Sequence, residues 1–154
     1  MSNEKMAKSQ GNILKINSFK NKILNKSAAL QIDIGMKRLG LCPPEVMVAK
    51  KKCETINLKL ILGHLSSADN EFDSSNQKQL SLFSKLSSNF PDTPKSLAAT
   101  GGTILGKDYH FDLTRPGIGI FGGKPLKGAE NVVTVSLPVL QIKDIKENDG
   151  GGYN

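Results

Sequence analysis

Residues 109–123 read Tyr-His-Phe-Asp-Leu-Thr-Arg-Pro-Gly-Ile-Gly-Ile-Phe-Gly-Gly. Phe111 and Leu113 alternate with polar neighbours, the period of a β-strand, and Arg115-Pro116-Gly117 then interrupt the pattern before apolar residues resume. The stretch is therefore predicted to be a strand that ends in a Gly-rich loop. Glycine has no Cβ, so backbone N–H groups in such a loop can face an anion at close range. Arg115 stands at this handover, and Arg38 is the only other arginine in the sequence. General surface charge is left to lysine, so each arginine is expected to serve a task that needs a planar, permanently charged fork.

The same pattern of strand, polar exit and helix recurs upstream. Asn12–Asn17 holds a short apolar run, Ile13, Leu14 and Ile16, and Ser18 is placed to cap a helix carrying Phe19, Ile23 and Leu24. Ala28–Ile34 is polar only at Gln31 and Asp33, as expected of a strand buried on both faces, and Gly35–Arg38 form its exit. Pro43 and Pro44 suit a helix start, with Glu45 in the first turn and Val46, Met47 and Cys53 facing inward. Leu58–Leu65 is the most apolar run and exits into Ser66–Asp69 past His64. Leu80, Phe83, Leu86 and Phe90 recur at three to four residues, a helix that stops before Pro91. Ser96–Thr100 reads as a short strand, turned by Gly101-Gly102 into a helical segment at Ile104 and Leu105.

Four to five strand–helix alternations with short connections argue for βαβ units and a parallel sheet. Arg38, His64, Thr100 and Arg115 all fall at the C-terminal ends of the predicted strands. A (β/α) barrel gathers such ends on one face, where ligands bind and where a phosphate commonly sits in the last loops. Those loops would be Thr100–Thr103 and Arg115–Ile118.

Composition narrows the function classes. A chain of 154 residues is one ordinary domain by length. Its net charge of +7 comes from lysines spread along the chain, and only Lys50–Lys52 form a run, read as the solvated end of a helix. With no Trp, two Tyr and no basic stretch interleaved with aromatics, nucleic-acid binding is not favoured. Cys42 and Cys53, eleven positions apart, lack zinc-site spacing and read as reduced thiols. No apolar run approaches the roughly 20 residues of a membrane span. The expectation is a cytoplasmic protein that uses neither membrane nor nucleic acid.

Five ordered blocks resemble the alanine racemase family: Ile32-Asp33-Ile34-Gly35-Met36-Lys37-Arg38-Leu39-Gly40, Gly63-His64-Leu65-Ser66-Ser67-Ala68-Asp69, Asn76-Gln77 with the helix behind it, Ser96-Leu97-Ala98-Ala99-Thr100, and Phe111-Asp112-Leu113-Thr114-Arg115-Pro116-Gly117-Ile118. The match runs from about Ile13 to about Ile145. The resemblance implies an α/β fold, a partial (β/α)8 TIM-type barrel of about the last five βα units plus the first strand of a C-terminal β domain. It divides the chain into a disordered lead-in at 1–11, the partial barrel at 12–123, a linker at 124–131 and the start of the β domain at 132–154. The strand of that last part would lie at Val132–Ile145, with Pro138 marking an edge or bulge.

The cofactor implied is pyridoxal 5'-phosphate (PLP), with alanine as the small amino-acid substrate and a homodimer as the family's assembly. Arg115 would face the pyridine nitrogen. An arginine does not give up its proton, so that nitrogen would stay unprotonated and the ring would be a weaker electron sink. Gly117 and Ile118 would offer N–H groups, and Thr100 its hydroxyl, to the phosphate. Arg38 would lie near the cofactor's phenolic oxygen and the substrate carboxylate, and His64 would support Arg115. Tyr153 would match the tyrosine that serves the family as one of two catalytic bases across the dimer interface, the local match being Gly152-Tyr153 alone.

Several positions depart from the family pattern. The Lys-Ala-Asn-Ala-Tyr-Gly-like block that carries the cofactor-linking lysine has no counterpart, and Lys5, Lys8 and Lys15 have no matching neighbours. Gln31 stands for a lysine, Ile34 for a threonine and Ala99-Thr100 for Asn-Ser. By the family map the chain starts near the fourth strand. The expected activity is thus that of a truncated or split racemase, inactive alone, which holds cofactor contacts and needs a complementary fragment. The alternative is a non-catalytic PLP-binding or barrel-completing module.

Overall fold

The structure is a computed structural model, and it describes residues 27–53, 56–130, 132–142 and 144. The predicted strand and helix between Ile13 and Leu24, the lead-in and Tyr153 lie outside these residues. Among the described residues the elements are strand β1 (Ser27–Gln31), helix α1 (Pro43–Cys53), β2 (Asn57–Leu62), α2 (Ser74–Ser87), β3 (Lys95–Ser96), α3 (Thr100–Leu105), a 3-10 turn (Lys107–Tyr109) and α4 (Gly117–Ile120). The three strands form one sheet in the order β1-β2-β3 with both pairings parallel. Two consecutive βαβ units, expected from the alternation of runs, therefore build the fold.

The apolar Leu58–Leu65 run supplies the central strand β2, paired on both sides. Ile61 is fully buried, and the core around it comprises Ile32, Ile34, Val46, Ala49, Leu65, Leu80, Phe83, Phe90 and Leu97. β1 differs from expectation. It alternates between exposed and half-buried residues and ends at Gln31, because among the described residues it pairs only with β2. Beyond it, Ile32 bridges Leu41 and closes the loop 33–40 at its base. Within that loop Asp33 Oδ1 accepts the N–H groups of Gly35 and Lys37 at 2.9 and 3.0 Å.

α1 begins at Pro43 as predicted, but its buried face is Glu45, Val46, Ala49 and Cys53, while Met47 is exposed. Positions 46, 49 and 53 share one side at helical spacing, and Met47 lies a further 100° round the axis. Glu45 does more than meet the helix dipole. Its Oε2 accepts the Cys42 N–H at 2.6 Å, the reciprocal half of a capping box. Lys50 and Lys51 are exposed in the last turn. Cys42 is exposed and Cys53 buried, no disulfide joins them, and burial raises the Cys53 pKa so that the thiol stays protonated.

α2 is capped by Asp73, whose Oδ1 accepts the Ser75 N–H at 2.8 Å. Of its predicted stripe Leu80 and Phe83 are buried and Leu86 is half-buried. The helix ends at Ser87, before the expected stop at Pro91, and Phe90 is buried in the segment that follows it.

Two predicted strands are absent. Residues 109–113 run through the end of the 3-10 turn and a further turn, with Phe111 in the left-handed region at φ 52°. The alternation spans too few residues to decide the conformation, and the Phe111 ring packs edge-on to Phe83 at a 5.0 Å centroid distance. What survives of a strand here is one parallel bridge, Ala99 to Arg115. Thr100 begins α3 instead of ending a strand. The Val132–Ile145 strand is likewise absent across residues 132–142, which carry no secondary structure and are exposed throughout. A strand needs a ladder partner for its N–H and C=O groups, and among the described residues this segment has none.

Candidate functional site

The C-terminal ends of β2 and β3 stop side by side. The segments leaving them, His64–Asp69 and Ala99–Gly102, face Arg115–Ile118 across a cleft of about 360 Å³. Met36 and Pro125 complete its wall. The volume lies within the range of small-molecule sites, roughly 300–1,000 Å³.

Arg115 crosses the floor of this cleft. Its backbone N–H donates to Ala98 O at 2.8 Å, which fixes the start of the side chain. Its Nη2 donates to Gly63 O at 2.7 Å and reaches Leu97 O at 3.5 Å, and its Nη1 donates to Ser96 Oγ. Every one of these acceptors is neutral, and no carboxylate of the described residues pairs with the guanidinium. Burial lowers its pKa from the ordinary value, yet an arginine keeps its proton at any physiological pH. The result is an oriented cation whose charge is not cancelled.

Gly63 makes that placement possible. A Cβ there would come within 2.8 Å of the Phe83 ring and 2.9 Å of Leu97. Only glycine lets the backbone pass close over the core while turning its carbonyl to Arg115.

His64 follows directly. It is half-buried in the cleft wall, and its pKa is lowered, first by burial and then by the positive charges of Arg115 and Arg38. A neutral imidazole therefore faces the arginine. As pH falls, the unfolded chain takes up this proton first, near about 6.5. The folded chain resists, so stability present above that pH declines as pH drops towards the lowered folded-state pKa. The His64→Asn variant is expected to show a shallower loss of urea midpoint between about pH 7 and pH 5; identical slopes in the two proteins would exclude His64 as the source.

Thr100 is buried at the first turn of α3 and accepts the Gly119 N–H through Oγ1 at 3.0 Å. Its own hydroxyl hydrogen is left to donate. Gly119 is the close-approach partner, since a Cβ there would lie 2.8 Å from Thr100 Cγ2. Gly117 and Ile118 line the same cleft, but the Gly117 N–H already donates to Arg115 O at 2.8 Å, across Pro116 at φ −76° and ψ 52°. That is an inverse γ-turn. Arg38 is exposed and does not line the cleft, but it lies near enough for its charge to help lower the His64 pKa. Gln31 Nε2 contacts Leu39 O at 3.4 Å beside it, and Ile34 fits the core. Arg115, His64, Thr100, Gly117 and Ile118 are thus gathered in one cleft, and Arg38 stands at its margin.

Sequence reasoning passed over Ser96, Gly63, Ser66 and Gln79. Gln79 Oε1 accepts the Ser66 N–H at 3.0 Å and its Nε2 donates to Ser66 Oγ at 2.9 Å, which fixes the loop after His64. Asn76 does the same further on, with Nδ2 donating to Asn70 O at 2.8 Å. Their signal was available, as polar residues on the buried stripe of an amphipathic helix.

The family model for the alanine racemase N-terminal domain matches residues 7–125. The chain belongs to the alanine racemase family. The alanine racemase of Jannaschia sp. is 44% identical over 124 residues, covering 80% of this chain and 35% of that protein. That of Rhizobium meliloti is 37% identical over 131 residues, with 80% and 35% covered. The solved alanine racemase of Bartonella henselae, which carries covalently bound pyridoxal phosphate, superposes with a TM-score of 0.63 at 35% identity, covering 72% of this chain and 36% of that one. The chain spans about a third of the length of the racemases it matches. The match to this N-terminal-domain model begins upstream of Ile13 and ends at Pro125. The parallel sheet and the cleft at its strand ends are consistent with part of that family's N-terminal barrel.

Proposed function

We propose that this chain carries the ring-and-phosphate side of the PLP site of an alanine racemase and does not interconvert L- and D-alanine by itself. The observation that carries the reading is Arg115, an oriented guanidinium held by neutral acceptors at the strand ends. The donor set fits the cofactor. An uncancelled cation suits an unprotonated pyridine nitrogen, and the Thr100 hydroxyl and the Ile118 N–H suit a phosphate. When bound, PLP supplies an electron sink for the pair left behind as the substrate's α-proton departs.

The chain's own groups orient and hold. Arg115 keeps its proton, so it would donate to the ring nitrogen without protonating it. Neutral His64 adds no second positive charge beside Arg115. Gln79 and Asn76 keep the wall in place. Arg38 at the margin is the residue for a substrate carboxylate, and Tyr153 for a proton. Residues 12–123 are read as about the last five βα units of the barrel, and residues 132–154 as the opening of a β domain. The family assembly, a homodimer acting on alanine, is part of this reading.

The reading that these 154 residues do not racemise alone rests on their holding no counterpart of the cofactor-linking lysine block. Expression of the chain alone is expected not to rescue a D-alanine auxotroph, and rescue would contradict the inactive reading. A second reading, a module that completes a site with another chain, is favoured by the exposed Ile118, Ile120, Phe121 and Leu126 beside the cleft. Co-expression with a chain supplying the lysine block would then restore growth.

A further inference from the structure

Ser96 is fully buried at the end of β3, where its strand neighbours in the sequence are apolar or lysine. Its Oγ donates to Leu113 O at 2.6 Å and accepts from Arg115 Nη1. A serine hydroxyl has one hydrogen, and here Leu113 takes it. Only lone pairs are left to face the guanidinium. Ser96 is therefore fixed as an acceptor towards Arg115, and it links that side chain to the segment just before it.

We propose that Ser96 is a positioning residue for Arg115: its hydroxyl sets the plane of the guanidinium so that the charge is aimed into the cleft and not cancelled. The inference rests on the PLP reading given above. A carboxylate at this position would orient the arginine equally well but would neutralise it. A histidine could serve as acceptor in one tautomer only. A hydroxyl whose hydrogen is already committed orients the cation while staying neutral. Gly63 O and Leu97 O supply the other two fixed points, so Ser96 is the one side chain in the set that a substitution can change without altering the backbone.

The expected consequence is selective. Loss of the hydroxyl should disturb the ring end of the site and leave the phosphate end, built on Thr100 and Gly119, intact. The probes are pyridoxine 5'-phosphate, which lacks the aldehyde that would react with surface lysines, and inorganic phosphate, which needs only the phosphate end. Ser96→Ala is expected to weaken pyridoxine 5'-phosphate binding about tenfold, with inorganic phosphate binding unchanged. The pH at which the bound ring's absorption changes should also move towards that of the free ligand. Ser96→Thr, which keeps the hydroxyl, should restore both readouts; if its extra methyl prevents folding, judged by circular dichroism, the two-ligand comparison on Ser96→Ala decides alone. An equal loss for both ligands would make Ser96 merely structural and overturn the proposal. So would wild-type ring binding in Ser96→Ala when Arg115→Ala has lost it. Should Arg115→Ala also bind the ring normally, the PLP reading itself falls, a different result from failure of the Ser96 inference.

Discussion

Arg115→Ala is expected to weaken pyridoxine 5'-phosphate binding by between about tenfold and a hundredfold, the worth of one hydrogen bond involving a charged group. The variant removes the only described cation on the cleft floor and leaves Gly63 O and Ser96 Oγ without their donor. Arg115→Lys separates charge from shape. A lysine keeps the charge but is a point donor on a flexible stem, unable to span Gly63, Leu97 and Ser96 at once. It is expected to fall between wild type and Arg115→Ala in ring binding. Equilibrium titration by ligand absorbance measures all three, with circular dichroism to check folding.

Phe83→Ala is expected to destabilise the chain by about 3–5 kcal/mol. The ring is fully buried in α2, lies beneath Gly63 and meets Phe111 edge-on at 5.0 Å. Removing it opens a cavity that α2 and β2 cannot close without shifting the strand end that holds Arg115. Total stabilities of domains are about 5–15 kcal/mol, so such a loss is a large share of the whole. Urea denaturation followed by circular dichroism would read it as a lowered midpoint. A change below about 1 kcal/mol would mean that Phe83 is not the centre of the core.

The parts of the fold readable from sequence were those with a long, unambiguous period. Leu58–Leu65 is apolar enough to be a central strand in any context, and Leu80, Phe83, Leu86 and Phe90 repeat over three turns. Pro43-Pro44 marks the start of α1 by local sterics alone. Reading failed where the signal was short. Phe111 and Leu113 give only two apolar positions, and packing of Phe111 on Phe83 overrides them. Apolarity alone points Met47 inward, although the helix buries only the face of Glu45, Val46, Ala49 and Cys53. Residues 132–142 have a strand's composition, but composition cannot supply a ladder partner.

The candidate site was legible in its charged residues and illegible in its supports. Arg115 was conspicuous as one of two arginines, and His64 and Thr100 fell at strand ends. Ser96 and Gly63 gave no comparable signal, because a serine or glycine at a strand end has many ordinary explanations. Their roles depend on what lies across the sheet, Leu113 and Arg115 for one and Phe83 for the other. The commitment of the Gly117 N–H to Arg115 O depends on a turn geometry that residue types alone do not fix.

The most direct measurement is a titration of the intact chain with pyridoxine 5'-phosphate, alone and against inorganic phosphate, in wild type and Arg115→Ala. Expected is one saturable site that phosphate competes for and that Arg115→Ala weakens at least about tenfold. No saturable binding, or equal binding by the two proteins, would contradict a PLP site built on Arg115.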